Sequence, residues 1–196
     1  EMVAIDKLIP TPFQPRSEFD PEGLRELAES ISKNGIIQPI IVRHKSRDEF
    51  EIVAGERRWR AAKLISLQTV PVIIRQLTDK DVMEMALVEN LQRQDLSPLE
   101  EAFAYRRLLG EFGHTQDDLA RTVGKSRSHI ANLLRLLSLP ERVKQLLQQD
   151  LLTVGHARAL LGCANPEALA EQVVEEGLSV RQTEELSQNN VDFGKK

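Results

Sequence analysis

The densest group of side chains that could bind an anion lies in the stretch Gly55-Glu56-Arg57-Arg58-Trp59-Arg60-Ala61-Ala62. The alternating apolar run Phe50–Ala54 predicts a strand before it, and a helical pattern through Ile65 predicts a helix after it. The N–H groups at a helix N-terminus attract anions, and Gly55 lets the backbone approach a ligand closely. Fork-shaped guanidinium donors fit phosphate oxygens two at a time. A solvated basic face is the alternative, but a strand, a glycine and a helix in this order favour a phosphate site.

A second group of polar side chains, Glu89-Asn90-Leu91-Gln92-Arg93, closes a helix predicted to begin at Asp79. A carboxylate, an amide oxygen and an arginine within five residues could hold a metal ion and the phosphates that it bridges. Magnesium usually takes one or two protein oxygens, and phosphate and water complete its shell. The alternative is an ordinary polar helix end in which Arg93 complements the helix dipole. Taken alone, the pentapeptide favours this alternative.

A helix-turn-helix is predicted further along the chain. Thr115 caps a short helix, Gly124 makes a tight turn, and Ser126 caps a second helix that ends near Leu137. The periodicity leaves five residues facing outward on the second helix: Arg127, Ser128, Ala131, Asn132 and Arg135. Residues 125–139 include no acidic residue, although the chain as a whole is acidic. Such units can be plain packing motifs, but the uncountered basic face favours DNA binding.

Composition sets limits on the class of protein. The 196 residues are 41% hydrophobic with a formal net charge of −4, which suits one or two domains and excludes a uniformly basic coat. The lone Cys163 excludes a disulfide framework and a cysteine zinc site. We see no apolar stretch of membrane-spanning length and no signal peptide. Because the chain opens at Glu1 in a strand-like run, we expect a fragment of a longer sequence.

The first half of the chain predicts a small α+β domain at residues 1–95, in which strands and helices interleave. Asp20 caps a helix that begins at Pro21 and ends before Gly35. Residues 9–16 predict a proline-stiffened extended loop, and Pro71 predicts that its strand lies at a sheet edge. The predicted strands are Met2–Ile5, Gln38–Val42, Phe50–Ala54 and Val70–Ile74.

No strand pattern follows Asp95–Ser97, so we place a domain boundary there and predict an all-α helix-turn-helix domain at residues 96–190. Residues 191–196 predict a disordered tail. His156, at the start of a later helix, could contact a DNA backbone or serve an ordinary surface role. Other helices are predicted at Glu100–Phe112, Pro140–Gln149, Gly155–Leu161, Pro166–Glu176 and Val180 to about Leu186.

These motifs, in this order, resemble the ParB family of chromosome- and plasmid-segregation factors, which bind a palindromic centromere site called parS. The resemblance covers nearly the whole chain. It implies that the first domain binds CTP with magnesium and hydrolyses it slowly, as the switch of a DNA clamp. The matching stretches are Thr11–Arg16, Gly35–Pro39, Gly55–Ala61, Glu89–Arg93 and Lys125–Ser128.

The resemblance also implies roles for individual residues. The nucleotide would lie among Gln14, Arg16, Ser30 and Gly35. Its phosphates would be held by Gly55, Glu56, Arg57 and Arg58. Glu89, Asn90 and Arg93 would serve the triphosphate, with Glu89 and Asn90 on the metal and Gln14 and Glu89 in hydrolysis. Glu56 is an anion at an anion site, so we expect it to turn toward backbone donors. DNA would meet Gln116, Lys125, Ser126, Arg127, Ser128, Asn132, Arg135, Gly155 and His156.

The implied partners are parS DNA, a second copy of the chain through a CTP-dependent contact of the first domain, and a ParA-type ATPase. We expect the ParA-binding tail and the C-terminal dimerisation domain of the family to be missing here. The implied location is the bacterial cytoplasm at the nucleoid, with no membrane partner.

Two alternatives stay open. One is a Noc-like nucleoid-occlusion protein, although Arg127 resembles the ParB type and no amphipathic membrane segment is visible. The other is a related nuclease- or kinase-like enzyme, or a sulfiredoxin. A nuclease would need clustered acidic ligands, and a sulfiredoxin would need a cysteine in the first domain, whereas Cys163 lies in the second.

Overall fold

The computed structural model describes residues 1–12, 20–92 and 96–192. The chain forms two compact units, Glu1–Asn90 and Leu91–Lys196. The first is a mixed sheet with helices and the second is helical, so the predicted fold class is confirmed. The predicted boundary after residue 95 lies a few residues beyond the division between the units.

The first unit is built on a five-stranded sheet in the order β1-β5-β3-β4-β2. The β1–β5 and β3–β4 pairs are antiparallel, whereas β2–β4 and β3–β5 are parallel. The strands are β1 Met2–Ala4, β2 Leu8–Pro10, β3 Ile40–His44, β4 Phe50–Ala54 and β5 Thr69–Ile74. The helices are α1 Pro21–Asn34, α2 Glu56–Leu64 and α3 Asp79–Leu91.

One face of the sheet packs under α2. The indole of Trp59 is buried there, and its Nε1 donates a hydrogen bond to the Ile5 carbonyl oxygen at 3.3 Å. On the other side of α2, Ala61 packs against Ala28 and Ile31 of α1. The apolar stripes therefore fix α2 between the sheet and α1. The core against the sheet consists of Val3, Leu8, Ile40, Val42, Ile52, Trp59, Ala62, Val70 and Val72.

The prediction that Pro71 marks an edge strand is wrong, because β5 lies between β1 and β3. Glu1 and Val72 exchange backbone hydrogen bonds of 2.7 and 2.9 Å, which leaves Pro71 opposite Met2 at a position that needs no donor. The ladder with β3 starts only at Val72. Because proline has no N–H, it could not donate to a neighbouring strand, but at this position neither β1 nor β3 needs that donor.

The region predicted as a proline-rich loop begins instead with a short strand, β2, at the edge of the sheet beside β4. Pro10 is tolerated there because an edge strand has one side without a ladder partner. Most of the remaining predicted loop lies outside the described residues.

A buried ion pair joins β3 and β4. Arg43 and Glu51 are 5% and 1% exposed, and the Arg43 Nε and Nη2 atoms donate to Glu51 Oε2 at 3.0 and 2.7 Å. Arg43 also donates to the Leu77 carbonyl oxygen at 3.2 Å and to Asp79. Burial acts to raise the pKa of Glu51, but hydrogen bonds from Thr11 and Arg43 and the nearby positive charge outweigh it and lower that pKa. Arg43 thereby fastens the start of α3 to the sheet.

The second unit contains seven helices in its described part, and none in the described ranges has the length and apolarity to cross a bilayer. Side-chain caps at Ser97, Thr115, Ser126, Thr153 and Asn165 begin five of them. They are α4 Pro98–Gly110, α5 Gln116–Val123, α6 Arg127–Leu136, α7 Glu141–Gln148, α8 Val154–Leu160, α9 Pro166–Glu176 and α10 Val180–Asp192.

Helix α10 is longer than predicted and takes in the first two residues of the tail predicted at 191–196. No glycine or proline occurs between Val180 and Asp192, so nothing in the sequence ends the helix earlier. The rest of the predicted tail lies outside the described residues.

Candidate functional sites

The predicted strand, glycine and helix are present in the first unit. Strand β4 ends at Ala54, Gly55 takes a left-handed φ of 100°, and α2 begins at Glu56. The N-cap residue Gly55 makes no side-chain hydrogen bond to this helix N-terminus. Its first N–H groups are therefore available to an anionic ligand.

Arg58 occupies the space that a side chain at Gly55 would need. A Cβ atom built on Gly55 would lie 2.9 Å from Nη2 and 3.1 Å from Cζ of Arg58. The Nη1 atom of Arg58 donates to the carbonyl oxygens of Gln38 and Pro39, the latter at 2.8 Å. Burial lowers the pKa of this guanidinium. The left-handed φ therefore requires glycine at position 55, and a side chain there would displace the Arg58 guanidinium.

Glu56 is only 6% exposed, and it is paired with an arginine one turn along α2. Its Oε1 atom accepts from Arg60 Nε at 2.9 Å and from Arg60 Nη2 at 2.7 Å. The expectation that Glu56 turns to backbone donors is therefore wrong. Its Oε2 atom is buried and has no hydrogen-bond partner among the residues that the structure describes. Such an acceptor is a candidate contact for a ligand donor or a cation.

Arg57 extends toward the start of α1. A Cβ atom built on Gly23 would lie 3.3 Å from its Nη2 atom and 2.9 Å from Asp20 Oδ2. Asp20 caps α1 by accepting from the N–H groups of Glu22 and Gly23, each at 3.1 Å. The Arg57 guanidinium thus lies beside the first turn of α1.

The structure describes four of the seven other residues that were predicted to bind the nucleotide or its metal. Ser30 is exposed on α1, and Gly35 ends that helix with a φ of 70°. Glu89 is exposed and Asn90 is half-buried in the last turns of α3. The remaining three, Gln14, Arg16 and Arg93, lie outside the described residues.

No group of three or more acidic, histidine or cysteine side chains in residues 1–12, 20–92 and 96–192 could hold a metal ion by itself. The predicted donor set of one carboxylate and one amide oxygen, Glu89 and Asn90, fits magnesium only as a partner of phosphate and water. Any metal at this site would therefore depend on a bound phosphate.

The helix-turn-helix is present in the second unit. Gly124 has a φ of 67° between α5 and α6, and the Ser126 hydroxyl accepts from the His129 N–H at 3.1 Å. Ile130, Leu133 and Leu136 are buried, whereas the predicted core residues Leu134 and Leu137 are half-buried. The exposed candidates are Lys125, Ser126, Arg127, Ser128 and Arg135, and Gln116 and Asn132 are half-buried.

Arg127 lies near an acidic residue, Asp117 of α5, with Nη1 and Oδ2 3.8 Å apart. Both side chains are more than half exposed, and such a contact contributes little in water. The guanidinium of Arg127 is therefore open to exchange this partner for a ligand at the start of α6.

His156 has an internal role that the sequence did not predict. Its Nδ1 atom accepts from the Thr153 backbone N–H at 3.2 Å, and its Nε2 atom therefore carries the proton and donates to the Leu178 carbonyl oxygen at 3.0 Å. The ring closes the capping box of α8 and ties it to the turn before α10. Both ring nitrogens are used within the second unit, which leaves the ring no polar atom for DNA.

Gly155 also has a packing role. A Cβ atom there would lie 2.9 Å from Cγ2 of Val180, a stiff β-branched side chain on α10. The residue next to His156 is therefore a glycine because α8 and α10 approach too closely for a larger side chain.

We expect Gly155→Ala to destabilise the second unit by about 1–2 kcal/mol. An overpacked contact costs about 1–3 kcal/mol, and the better helix propensity of alanine returns about 0.5–1 kcal/mol. The measurement is thermal unfolding followed by circular dichroism. Val180→Ala in the same chain should restore stability, and a double variant no more stable than Gly155→Ala would contradict the packing role.

Comparison with known proteins places these features in one family. The ParB N-terminal domain family matches residues 1–91, and the ParB HTH domain family matches residues 94–192. Stage 0 sporulation protein J of Bacillus subtilis (strain 168) is 54% identical over 191 residues, which are 96% of this chain and 67% of that protein. The chromosome-partitioning protein ParB of Caulobacter vibrioides (strain NA1000 / CB15N) is 49% identical over 195 residues, 97% of this chain and 64% of that protein.

A solved structure shows the same architecture. It is the C-terminally truncated chromosome-partitioning protein ParB from Caulobacter crescentus, complexed to the centromeric parS site. The TM-score is 0.81 and the identity 48%, and the match covers 96% of this chain and 99% of that one. The chain spans about two thirds of the length of these curated relatives, 67% and 64%. With both of its units matched by family domains, this chain belongs to the ParB family.

Proposed function

We propose that this protein binds a parS-type centromere site in chromosome or plasmid partition, and that CTP and magnesium bound by its first unit switch it into a DNA clamp. The observation that carries DNA binding is the exposed, acid-free face of α6 in a capped helix-turn-helix. The likeness to the Caulobacter ParB structure, which was solved on parS, supports the choice of site.

The geometry of α6 assigns different tasks to its residues. Ser126 caps the helix and places Arg127 and Ser128 in its first turn, the part of a recognition helix that contacts base edges. Asn132 lies further along α6 and could pair with adenine. Lys125 and Arg135 are exposed cations suited to phosphate, and Gln116 begins the preceding helix.

The nucleotide is proposed to bind at the start of α2. The uncapped N–H groups, the glycine at position 55 and the guanidinium of Arg57 would hold the phosphates. Ser30 and Gly35 of α1, together with Gln14 and Arg16, would surround the rest of the nucleotide. Magnesium would bind Glu89 and Asn90 beside Arg93, where its charge would stabilise the triphosphate during hydrolysis.

CTP would act as a switch rather than as fuel. A ligand shifts a conformational or association equilibrium only by its differential affinity for the two states. We propose that the first units of two chains associate when CTP is bound and release each other after slow hydrolysis, with Gln14 and Glu89 in the hydrolytic step. A ParA-type ATPase is the further partner that we propose.

Binding to a fluorescent parS duplex and to a scrambled duplex of equal length tests the DNA proposal. We expect clearly tighter binding of parS by the full chain at physiological salt. Equal affinity for both duplexes over a range of salt concentrations would contradict a centromere-specific role.

Arg57→Ala should weaken CTP binding by roughly tenfold, because losing a hydrogen bond to a charged group costs about 1.5 kcal/mol or more. Titration calorimetry with CTP, UTP, ATP and GTP in magnesium buffer measures this loss and the base preference together. Arg47→Ala, an exposed arginine of the β3–β4 loop, is the control and should bind CTP like the parent chain. Unchanged affinity in Arg57→Ala, or no preference among the four nucleotides, would contradict the site.

A further inference from the structure

We propose that Glu101 of α4 is a positioning residue for DNA recognition, which holds the first turn of α6 in place through His129. What it positions is the pair Arg127 and Ser128, the side chains that the proposed function brings to the bases. The importance of that orientation rests on the proposed binding of parS. The tie itself rests on contacts within the second unit alone.

The first turn of α6 has little apolar anchorage. Residues 124–128 are all exposed, from the turn glycine to the second residue of the helix. The first buried side chain after them is Ile130, and the half-buried His129 comes directly before it. The part of the helix that is proposed to meet the bases therefore lies outside the core and takes its direction partly from polar contacts.

His129 supplies such a contact to α4, a helix that packs against α6. Its Nε2 atom lies 3.4 Å from Oε1 of Glu101. The backbone N–H of the same histidine donates to the Ser126 hydroxyl at 3.1 Å. The cap of α6 and its tie to α4 therefore meet at one residue, so a displacement of Glu101 acts directly on the capped first turn.

Glu101 is itself held on α4. The hydroxyl of Tyr105, one turn along the helix and 1% exposed, donates to the same Oε1 atom. Burial, together with this carboxylate, raises the pKa of Tyr105, so the hydroxyl keeps its proton and remains a donor. Glu101 also lies in the first turn of α4, where the helix dipole favours a negative charge. With its side chain only 20% exposed, Glu101 is a fixed acceptor and not a mobile surface charge.

The charge of Glu101 makes positioning and plain electrostatics distinguishable. A negative charge near DNA repels phosphate, so removing it for electrostatic reasons alone would tighten binding to any duplex. Removing a positioning residue should instead weaken binding to parS, because α6 would spend less time in the orientation that fits the bases. The two roles predict changes of opposite sign.

His129 also gives the tie a pH dependence. A histidine ordinarily changes charge between about pH 5 and 8. The protonated ring always donates from Nε2, whereas a neutral ring does so in only one of its two tautomers. The tie is therefore strongest with His129 charged, and it weakens as the pH rises.

Two other helices, α5 and α8, also pack against α6. Asp117 of α5 lies beside the first residue of α6. On α8, His156 is bonded to the turn before α10, and Arg158 lines a cavity together with the last turn of α6. Among the described residues of these helices, the acid that meets the His129 ring is therefore Glu101 of α4.

Fluorescence anisotropy with parS and scrambled duplexes compares Glu101→Ala, His129→Ala and the double variant in the full chain. We expect each single variant to lose about two- to fivefold in parS affinity, as for a partly exposed ion pair, with little change on the scrambled duplex. The double variant should lose no more than either single variant, because both remove the same tie. Asp117→Ala, which removes an exposed acid beside Arg127, is the control and should bind both duplexes at least as tightly as the parent chain.

His129→Gln keeps a donor but does not titrate, so it should recover most of the parS affinity that His129→Ala loses at pH 8. Its ratio of parS affinity to scrambled affinity should stay flat down to pH 6, whereas the ratio of the parent chain should rise by up to about fivefold. Glu101→Gln keeps the side-chain volume and removes the charge. It should therefore abolish the rise as well, even if alanine at position 101 impairs folding.

Amide hydrogen exchange without DNA reports the tie directly, and circular dichroism checks that each variant is folded. Exchange in residues 126–131 should rise about two- to fivefold in Glu101→Ala. Unchanged exchange, additive losses in the double variant, or tighter binding of both duplexes by Glu101→Ala would overturn the proposal. If the parent chain shows no preference for parS, the proposed function fails, and the exchange measurement still decides whether Glu101 positions α6.

Discussion

Arg43→Met is expected to destabilise the first unit by about 3–5 kcal/mol, because it leaves the buried carboxylate of Glu51 without its partner. Glu51 is 1% exposed, and its other cation, Lys45, is 3.7 Å away and half exposed. Arg43 also holds Leu77 and Asp79, so the start of α3 would loosen with the sheet.

The double variant Arg43→Met/Glu51→Leu should be more stable than Arg43→Met, since an apolar pair of similar volume often replaces a buried ion pair without loss. Urea unfolding followed by the fluorescence of Trp59 measures both variants. Trp59 is the sole tryptophan and is buried in the first unit, so the signal reports that unit. A loss under about 1 kcal/mol in Arg43→Met, or no recovery in the double variant, would contradict a structural role for the pair.

The same pair predicts a direction for acid sensitivity. The pKa of Glu51 is lower in the folded unit than in an unfolded chain, where the pKa of a glutamate is about 4.3. Its stabilisation is therefore complete above that value and is lost as the pH falls through the folded pKa. In the double variant this part of the acid dependence should disappear, and an unchanged pH profile would show that other carboxylates carry it.

Local signals predicted much of the fold and of both candidate sites. The caps at Asp20, Thr115 and Ser126, the glycine between strand and helix at position 55 and the tight turn at Gly124 were predicted from neighbouring residues alone. Such features depend on short-range hydrogen bonds and on backbone dihedrals that only particular residue types favour.

Long-range contacts explain what sequence reasoning missed. Arg58 bonds carbonyls about 20 residues away, and nothing in its local sequence distinguishes a carbonyl partner from a phosphate. The place of Pro71 inside the sheet depends on strand register. His156 caps a helix with a ring nitrogen, which is not among the usual capping signals. The Glu56–Arg60 pair is different, because its spacing of four residues was visible in the sequence.

Arg127→Ala should lower affinity for parS by roughly 5- to 150-fold and change affinity for a scrambled duplex much less. Arg127 opens the first turn of α6, and a bidentate contact between an arginine and a base is worth about 1–3 kcal/mol of discrimination. Its weak contact with Asp117 offers little resistance to such an exchange of partners.

Lys125→Ala and Arg135→Ala should behave differently from Arg127→Ala, because a phosphate contact carries no sequence information. Each should weaken both duplexes alike and flatten the dependence of log affinity on log salt concentration by about 0.9 per lost phosphate contact. Anisotropy titrations on both duplexes at several salt concentrations separate the two roles. Arg121→Ala is the matched control, because this exposed arginine of α5 is already paired with Asp118 at 2.6 Å. Equal losses on parS and scrambled DNA in Arg127→Ala, with a flattened salt slope, would move Arg127 from base reading to phosphate binding.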